Sequence, residues 1–388
     1  GTLQTAAQAN VTSVGTLTGL TVSADSTINS ISIGKGANSV ASNTVLGLAA
    51  LDAAVTGTDN TAIGNVSATT LTTGNSNTSL GSQSLQLNTT GDNNTAIGKD
   101  ALRYFVAGNN TAIGGDAMQG ANGSSTGSNN TAVGYYALRN TTTASENTSA
   151  GVESLEANTT GQQNCAFGYR TLEANTTADH NTAFGHQALK LNTTGTENTA
   201  VGANCLDSNT TTSNNTAIGF DALQANIAHA NTAVGHASLR SNTTGAGNNA
   251  FGKNALYTNT TGNYNVAVGY DALFTNNGNN NVAVGHDALK LNTGDNNTGV
   301  GFNALTANTT GAQNCAVGSY ALDANSTGTL NTAVGHNCLG AVTTGNYNTA
   351  VGRLALYAIT TSEHNTAIGM NALASCTTND NTAVGSEA

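Results

Sequence analysis

Residues 181–197 read NTAFGHQALKLNTTGTE, and nearly everything after residue 43 is a variant of this stretch. It returns as NTAVGANCLDSNTTTSN from Asn198, NTAIGFDALQANIAHA from Asn215, NVAVGYDALFTNNGNN from Asn265 and NTAVGHNCLGAVTTGNY from Asn331. The Asn that opens each copy (Asn43, Asn60, Asn77, Asn94 and so on to Asn381) marks about 21 units, mostly 17 residues apart, sometimes 16 and once 20. A fixed short period of this kind is the mark of a solenoid, in which each unit is one coil stacked on the last.

The unit is N-T-A-(V/I/F)-G-x-x-(A/S)-L-x-x-N-T-T-G-x-x. Its fourth place is apolar (Ile63, Ile97, Val133, Phe184, Val234, Val284, Val351) and its ninth is almost always Leu (Leu138, Leu189, Leu223, Leu273, Leu322, Leu373). A helix needs apolar residues at i, i+3, i+4 and i+7, so this spacing predicts two short strands per coil, each turning one apolar side chain inward. Strand alternation then places the small third and fifth residues, such as Ala183 and Gly185, on the opposite face as a bare strip along the array. Glycine weakens a strand unless another backbone comes close. A partner chain packed on that strip is therefore expected. Two apolar side chains also make a thin core for 17 ordered residues, which again points to an assembly of copies, a homotrimer wound or packed along a common axis.

Composition agrees with an all-β, repetitive parallel β-solenoid or β-roll. Only 8% of residues are charged and 4% aromatic, with no Pro and no Trp, whereas disordered chains combine high charge with Pro and lack a strict apolar period. The ten Lys and Arg residues do not cluster, so no nucleic-acid footprint is present. Nothing approaches the roughly 18 consecutive apolar residues of a membrane span. The five cysteines (Cys165, Cys205, Cys315, Cys338, Cys376) form no CxxC pair and read as small-residue substitutions rather than metal ligands or a disulfide framework.

Two columns of the repeat stand out. The twelfth place holds Asn158, Asn175, Asn192, Asn209, Asn226, Asn242, Asn259, Asn276, Asn292, Asn308 and Asn325, a structural ladder in which stacked amides bond coil to coil and tolerate a tight turn. The sixth place, just after the glycine, holds Tyr135, Tyr169, His186, Phe220, His236, Tyr270, His286, Phe302 and His336. This stripe is the candidate contact surface, either for a neighbouring subunit or for sugar rings of a cell-surface glycan. The four histidines recur every 50 residues, three coils apart and too distant to share a metal within one chain. Acidic residues gather at the seventh place (Asp100, Asp116, Asp221, Asp271, Asp287) and read as solvated turn residues, with no carboxylate pair repeated beside a His. The sequence thus assigns no catalytic residue, cofactor or metal ligand.

Residues 1–30 lack the repeat and read as an irregular β lead-in; residues 31–388 form the array. Residues 5–22, TAAQANVTSVGTLTGLTV, resemble blocks found in tail-fibre and stalk proteins of marine phages. SISIGKGANSVASNTVLG (Ser30 to Gly47) is similar to the SVAIGxxA pattern of trimeric autotransporter adhesin heads, which are left-handed parallel β-rolls. The NTAxGxxALxxNTTG array as a whole, about nine-tenths of the chain, resembles phage tail-fibre and bacterial surface-fibre proteins. The resemblance implies a non-enzymatic, homotrimeric extracellular, cell-surface or virion fibre that spaces and presents a receptor-binding region. Such proteins often end in a chaperone domain that trimerises the fibre and cleaves itself away, so a processing site or fragment boundary is expected near Ala388. Two rival readings are an ice-binding β-solenoid using Thr and Asn ladders, such as Thr193 and Thr194, and, lowest, a polysaccharide-cleaving fibre.

Overall fold

The computed structural model describes residues 25–388 apart from 122 and 124; the greater part of the lead-in expected over 1–30 lies outside the described residues. The described residues form one 23-stranded sheet. It opens with β1 (Ser26–Ile28), antiparallel to β2 (Ile31–Gly34), which is antiparallel to β3 (Thr44–Gly47). From β3 every strand pairs in parallel with the next, through β4 (Thr61–Ile63) to the last, Thr382–Val384. β1 and β2 therefore cap the array with antiparallel pairing, while β3 is the strand of the first coil. The Asp25 carboxylate holds this cap, accepting 2.7 Å hydrogen bonds from the backbone N–H of Lys35 and of Gly36.

The architecture is the parallel β-solenoid of roughly 17-residue coils that the repeat predicts, with two corrections. Each coil of the array has one regular strand, from β4 onward three residues long at places two to four, where two were expected. The ninth-place Leu lies in a turn, its N–H donating to the eighth-place carbonyl of the next coil, as from Leu189 to Cys205 at 2.9 Å. The second correction is the direction of the strand. Ala183, Ala217 and Ala350 are fully buried, whereas Phe184, Ile218 and Val351 lie on the outside, 40%, 39% and 37% exposed. The expected Ala and Gly strip is not a surface: the core is a column of third- and eighth-place Ala packed against ninth-place Leu.

The space inside so narrow a coil explains the reversal. Leu189 and its equivalents fill it, leaving room at the third place, from β4 onward, only for a side chain as small as Ala or Ser. The fifth-place glycine has a related cause. At Gly185, φ is +131° and an added Cβ would sit 2.4 Å from the Gly202 carbonyl oxygen. The close backbone is the chain's own next coil, not a partner.

A buried first-place asparagine closes the coils, joined in those that open with Asn147 through Asn314 by a second at the twelfth place. Asn198 shows the first: its backbone N–H donates to Asn181 Oδ1 (3.0 Å), its Nδ2 donates to the Thr212 carbonyl across its own coil (2.9 Å), and its Oδ1 accepts from the Asn215 N–H (3.0 Å). The twelfth-place Asn192 donates through Nδ2 to Asn175 Oδ1 (3.1 Å) and to the Gly195 carbonyl (2.9 Å), which also accepts from Asn181 Nδ2. That ladder stops where Val342, Ile359 and Cys376 take the place, and Asn325 Oδ1 is accordingly buried without a partner. The 16-residue coils lose one residue after the twelfth place, so length variation falls in a turn and the strand register survives.

Replacing Asn198 by Ala orphans the Asn215 N–H and weakens closure at Thr212. We expect the loss of about 2 to 3 kcal/mol of stability, read as a lower urea midpoint. An exposed control such as Thr194→Ala should move it by less than about 0.5 kcal/mol; equal shifts for both variants would remove the buried amide from the account of coil closure.

Candidate functional site

Going round one coil, three of the outward columns differ in chemistry. The first is the outer strand face, made by places two and four. Thr199 and Val201, Thr332 and Val334, Thr349 and Val351 project to the same side because they are two residues apart in a strand. From β4 onward neither place holds a single Asp, Glu, Lys or Arg, although the chain carries 31 of them (21 acidic plus 10 basic). Most rungs leave a large apolar side chain open, from 37% at Val334 to 43% at Leu80 and 70% at Val384 in the last strand, with Ile63, Ile97, Phe167, Val234 and Val300 half-buried.

The second column is the sixth-place stripe, which turns away from the strand after the glycine. Its rings stack on one another along the solenoid axis. Tyr169 meets His186 with centroids 5.4 Å apart and planes 29° from parallel; Phe220 meets His236 at 5.4 Å and 21°; Tyr270 meets His286 at 5.0 Å and 19°. Phe302 continues the run at 5.5 Å from His286, and Tyr320, at the seventh place, bridges edge-on from Phe302 to His336. Each of the four evenly spaced histidines thus sits one coil after an aromatic ring, Tyr169, Phe220, Tyr270 or Tyr320. Tyr135 stands apart, stacked at 3.8 Å on Tyr136; its phenol is pushed up to about 12, first by the hydrogen bond with Tyr136. Breaks at Ala203, Lys253 and Ser319 divide the stripe. Rings stacked in this way cover each other's faces and turn edges to solvent. Sugars stack on faces, so the stripe is better shaped for edge contacts and for hydrogen bonds from imidazole nitrogen.

The third column, at places seven and ten, is ionic, and here the solvated-turn expectation is corrected. Asp100, Asp221 and Asp271 are buried and paired: Arg103 with Asp100 at 3.1 Å, Arg240 with Asp221 at 3.3 Å, and Lys290 with both Asp271 (3.1 Å) and Asp287 (3.0 Å). A tenth-place cation reaches a seventh-place acid of its own or the preceding coil, so these charges tie coils together. Sequence reading missed this because the two places were weighed separately; Asp-x-x-Arg and Asp-x-x-Lys at constant offset were the available signal.

Within this column Glu153, Glu156 and Glu173 bring carboxylate oxygens within 4.8 Å of one another. Arg170 pairs with Glu153 and Glu173, and Arg139 with Glu156 at 3.7 Å. Burial pushes the Glu156 carboxyl up, and the neighbouring Glu153 charge adds to the effect. Beside them lies an open groove of about 290 Å³ bounded by Asn140, Glu156, Ala157, Glu173, Ala174, Lys190 and Leu191. Two arginines set against three carboxylates, with no histidine or cysteine among them, make an ion-pair network.

The cysteines occupy repeat positions. Cys205 and Cys338 replace the buried eighth-place Ala, Cys165 and Cys315 the outward second-place Thr, and Cys376 the twelfth-place Asn; all five are free thiols.

These features define an elongated parallel β-solenoid with an uncharged apolar strand face, an aromatic and histidine edge, and an ion-paired side. No family model, curated protein or solved structure matches this chain. Among the described residues no helix is long and apolar enough to cross a membrane.

Burial pushes the Cys205 thiol up to about 11 and the Cys338 thiol up to about 12. Iodoacetamide at pH 8 should therefore label Cys376 in the native protein and spare Cys205 and Cys338 until denaturant is added. Both thiols hold their protons more tightly folded than unfolded, so their contribution to stability is complete below the ordinary thiol value of about 8.5 and lost as pH rises through 11 to 12. Peptide mapping of the labelled protein checks the first statement and alkaline melts the second.

Proposed function

We propose that this protein is the shaft of a non-enzymatic extracellular, cell-surface or virion fibre, assembled as a homotrimer, that spaces and presents a receptor-binding region. The observation that carries the reading is the apolar fourth-place column, which stays partly open at rung after rung over the whole array. Soluble monomers rarely leave contiguous apolar patches beyond about 300–600 Å²; a shaft built from several copies covers such a column along its length. The repeat's likeness to fibre proteins points the same way, and about 21 coils at roughly 4.8 Å make a rod near 100 Å long. Cell-surface glycan remains the ligand class proposed for such a fibre, met through ring edges and imidazole nitrogens of the sixth-place stripe.

One observation favours a second reading, ice binding. The Thr of NTT are poor candidates, because Thr193 Oγ1 donates to the Thr210 carbonyl (2.9 Å) and only Thr194 faces out. The strand face, however, sets Thr332, Thr349 and Thr366 in one column beside Val334, Val351 and Ile368, a regular Thr-x-Val array. Phe167, Phe184 and Phe251 break its flatness, which places this reading second.

Light scattering with small-angle X-ray scattering separates the two. The fibre reading expects three times the chain mass of 38.6 kDa and a rod of about 100 Å, with no thermal hysteresis. A stable monomer with thermal hysteresis would replace the fibre by the ice-binding solenoid.

A further inference from the structure

We infer that copies of this chain meet through the outer strand face, places two and four, and that they run parallel and in register. The inference rests on the homo-oligomeric fibre reading and gives it a surface; the stripe at the sixth place and the ionic side are left free for other partners.

Three observations select this face. It carries no charge from β4 to the last strand, unlike the sixth place with Lys99, Lys253 and Arg353 and the tenth with Arg103, Arg139, Lys190, Arg240 and Lys290; the turn at places thirteen and fourteen is also uncharged but presents mainly Thr. It is apolar where it is open, with Val133, Phe184, Val268 and Ile368 all 38–42% exposed. It is also large, since some twenty such side chains offer on the order of 1,000 Å², against the roughly 800 Å² per partner of a stable interface. A strand face of this kind is covered by another sheet about 10 Å away.

The occupant is a second copy because the ladder is long and its step is set by the coil rise. Only a partner with the same rise stays in step over the whole column; a globular protein would cover a few rungs and leave the rest wet. Closed rotation about an axis along the rod then sets the register, since symmetry puts equal rungs of every copy at one level. Size variation along the column suits that arrangement. Ala150, the smallest fourth-place residue, directly precedes Phe167 and Phe184, whose rings stack at 4.5 Å, so the space around the Ala150 methyl groups adjoins the bulkiest rungs.

The experiment begins with the full chain carrying Cys165→Thr, Cys315→Thr and Cys376→Asn, which restore the repeat. Its mass is measured first: a monomer here and in the unaltered protein ends the fibre reading itself. Given an oligomer, Thr349→Cys is added and the protein oxidised. Parallel, in-register contact through this face expects most chains to appear as covalent pairs on a denaturing gel, with little pairing for Thr344→Cys, on a different side of the coil. Absence of Thr349→Cys pairs in an intact oligomer overturns the inference, as an antiparallel or staggered arrangement would produce. In the unaltered protein, Val334→Lys with Val351→Lys expects loss of the oligomer with the β circular-dichroism signature retained, because both side chains are already on the surface of the single chain. An oligomer of unchanged mass would show that the contact lies elsewhere.

Discussion

The closure of each coil by a buried asparagine amide is the interaction on which the rest of this molecule depends. With one three-residue strand per coil, most of the backbone is turn, and buried turn carbonyls and N–H groups need partners as much as those of a strand. The first-place Asn supplies them in two directions. Its Nδ2 reaches across the coil, from Asn198 to the Thr212 carbonyl, and its Oδ1 reaches up to the next coil, at the Asn215 N–H. Leaving one such group unpaired costs about 1–3 kcal/mol, a large fraction of what a single coil gains by burying its Leu. This explains why every unit opens with Asn while the apolar places drift among Val, Ile, Leu, Phe and Ala.

From that closure follows a narrow interior, and from the narrow interior a division of labour around the coil. Leu at the ninth place fills the centre although its backbone is left-handed, with φ of 52° at Leu189 and 51° at Leu206. That conformation costs a side-chain-bearing residue roughly 1–2 kcal/mol. Glycine or Asn would adopt it without strain but would empty the core, and a Leu buried completely returns about 2–3 kcal/mol. The margin is slim, so stability comes from stacking many identical coils. The perimeter can then vary without disturbing the stack: rings at the sixth place cover rings one coil away, and charges at the tenth pair with acids at the seventh.

The coil length, the number of coils, the parallel β class and the Asn column were legible because each follows from the period alone. Which strand face points inward was not. Alternation offers two phases, and preferring Val and Ile over Ala as the buried set chose the wrong one. A better signal lay within the repeat. The third place admits Ala, Ser79, Ser149 and Gly299 and, from β4 onward, nothing larger; the fourth runs from Ala150 to Phe184. A packed interior tolerates little change in volume, and a surface tolerates much, so the invariant small column had to be the inner one. The Ala and Gly strip was misread for a second reason: the close backbone that Gly185 requires is the next coil of the same chain, a contact that periodicity alone does not distinguish from a partner.

Turning the strand the other way strengthens the case for assembly while changing its basis. In the expected orientation the Val and Ile would have been spent on the core, and the surface left to a partner would have been Ala and Gly, which bury little area per rung. In the observed orientation the core is built from Ala and Leu, and a branched or aromatic side chain remains outside at almost every level. Charged residues would serve the solubility of a lone chain better at such a column, yet the charges of the array lie at places six, seven and ten and in the turn at places fifteen to seventeen, as with Glu146, Asp179 and Glu197. The separation of charge from apolar surface is therefore organised around the coil as strictly as the coil itself is organised along the chain. Sheets that meet across a common axis need that separation, and in the proposed assembly the same coil rise that aligns Ala upon Ala within one chain would align Val against Val between chains.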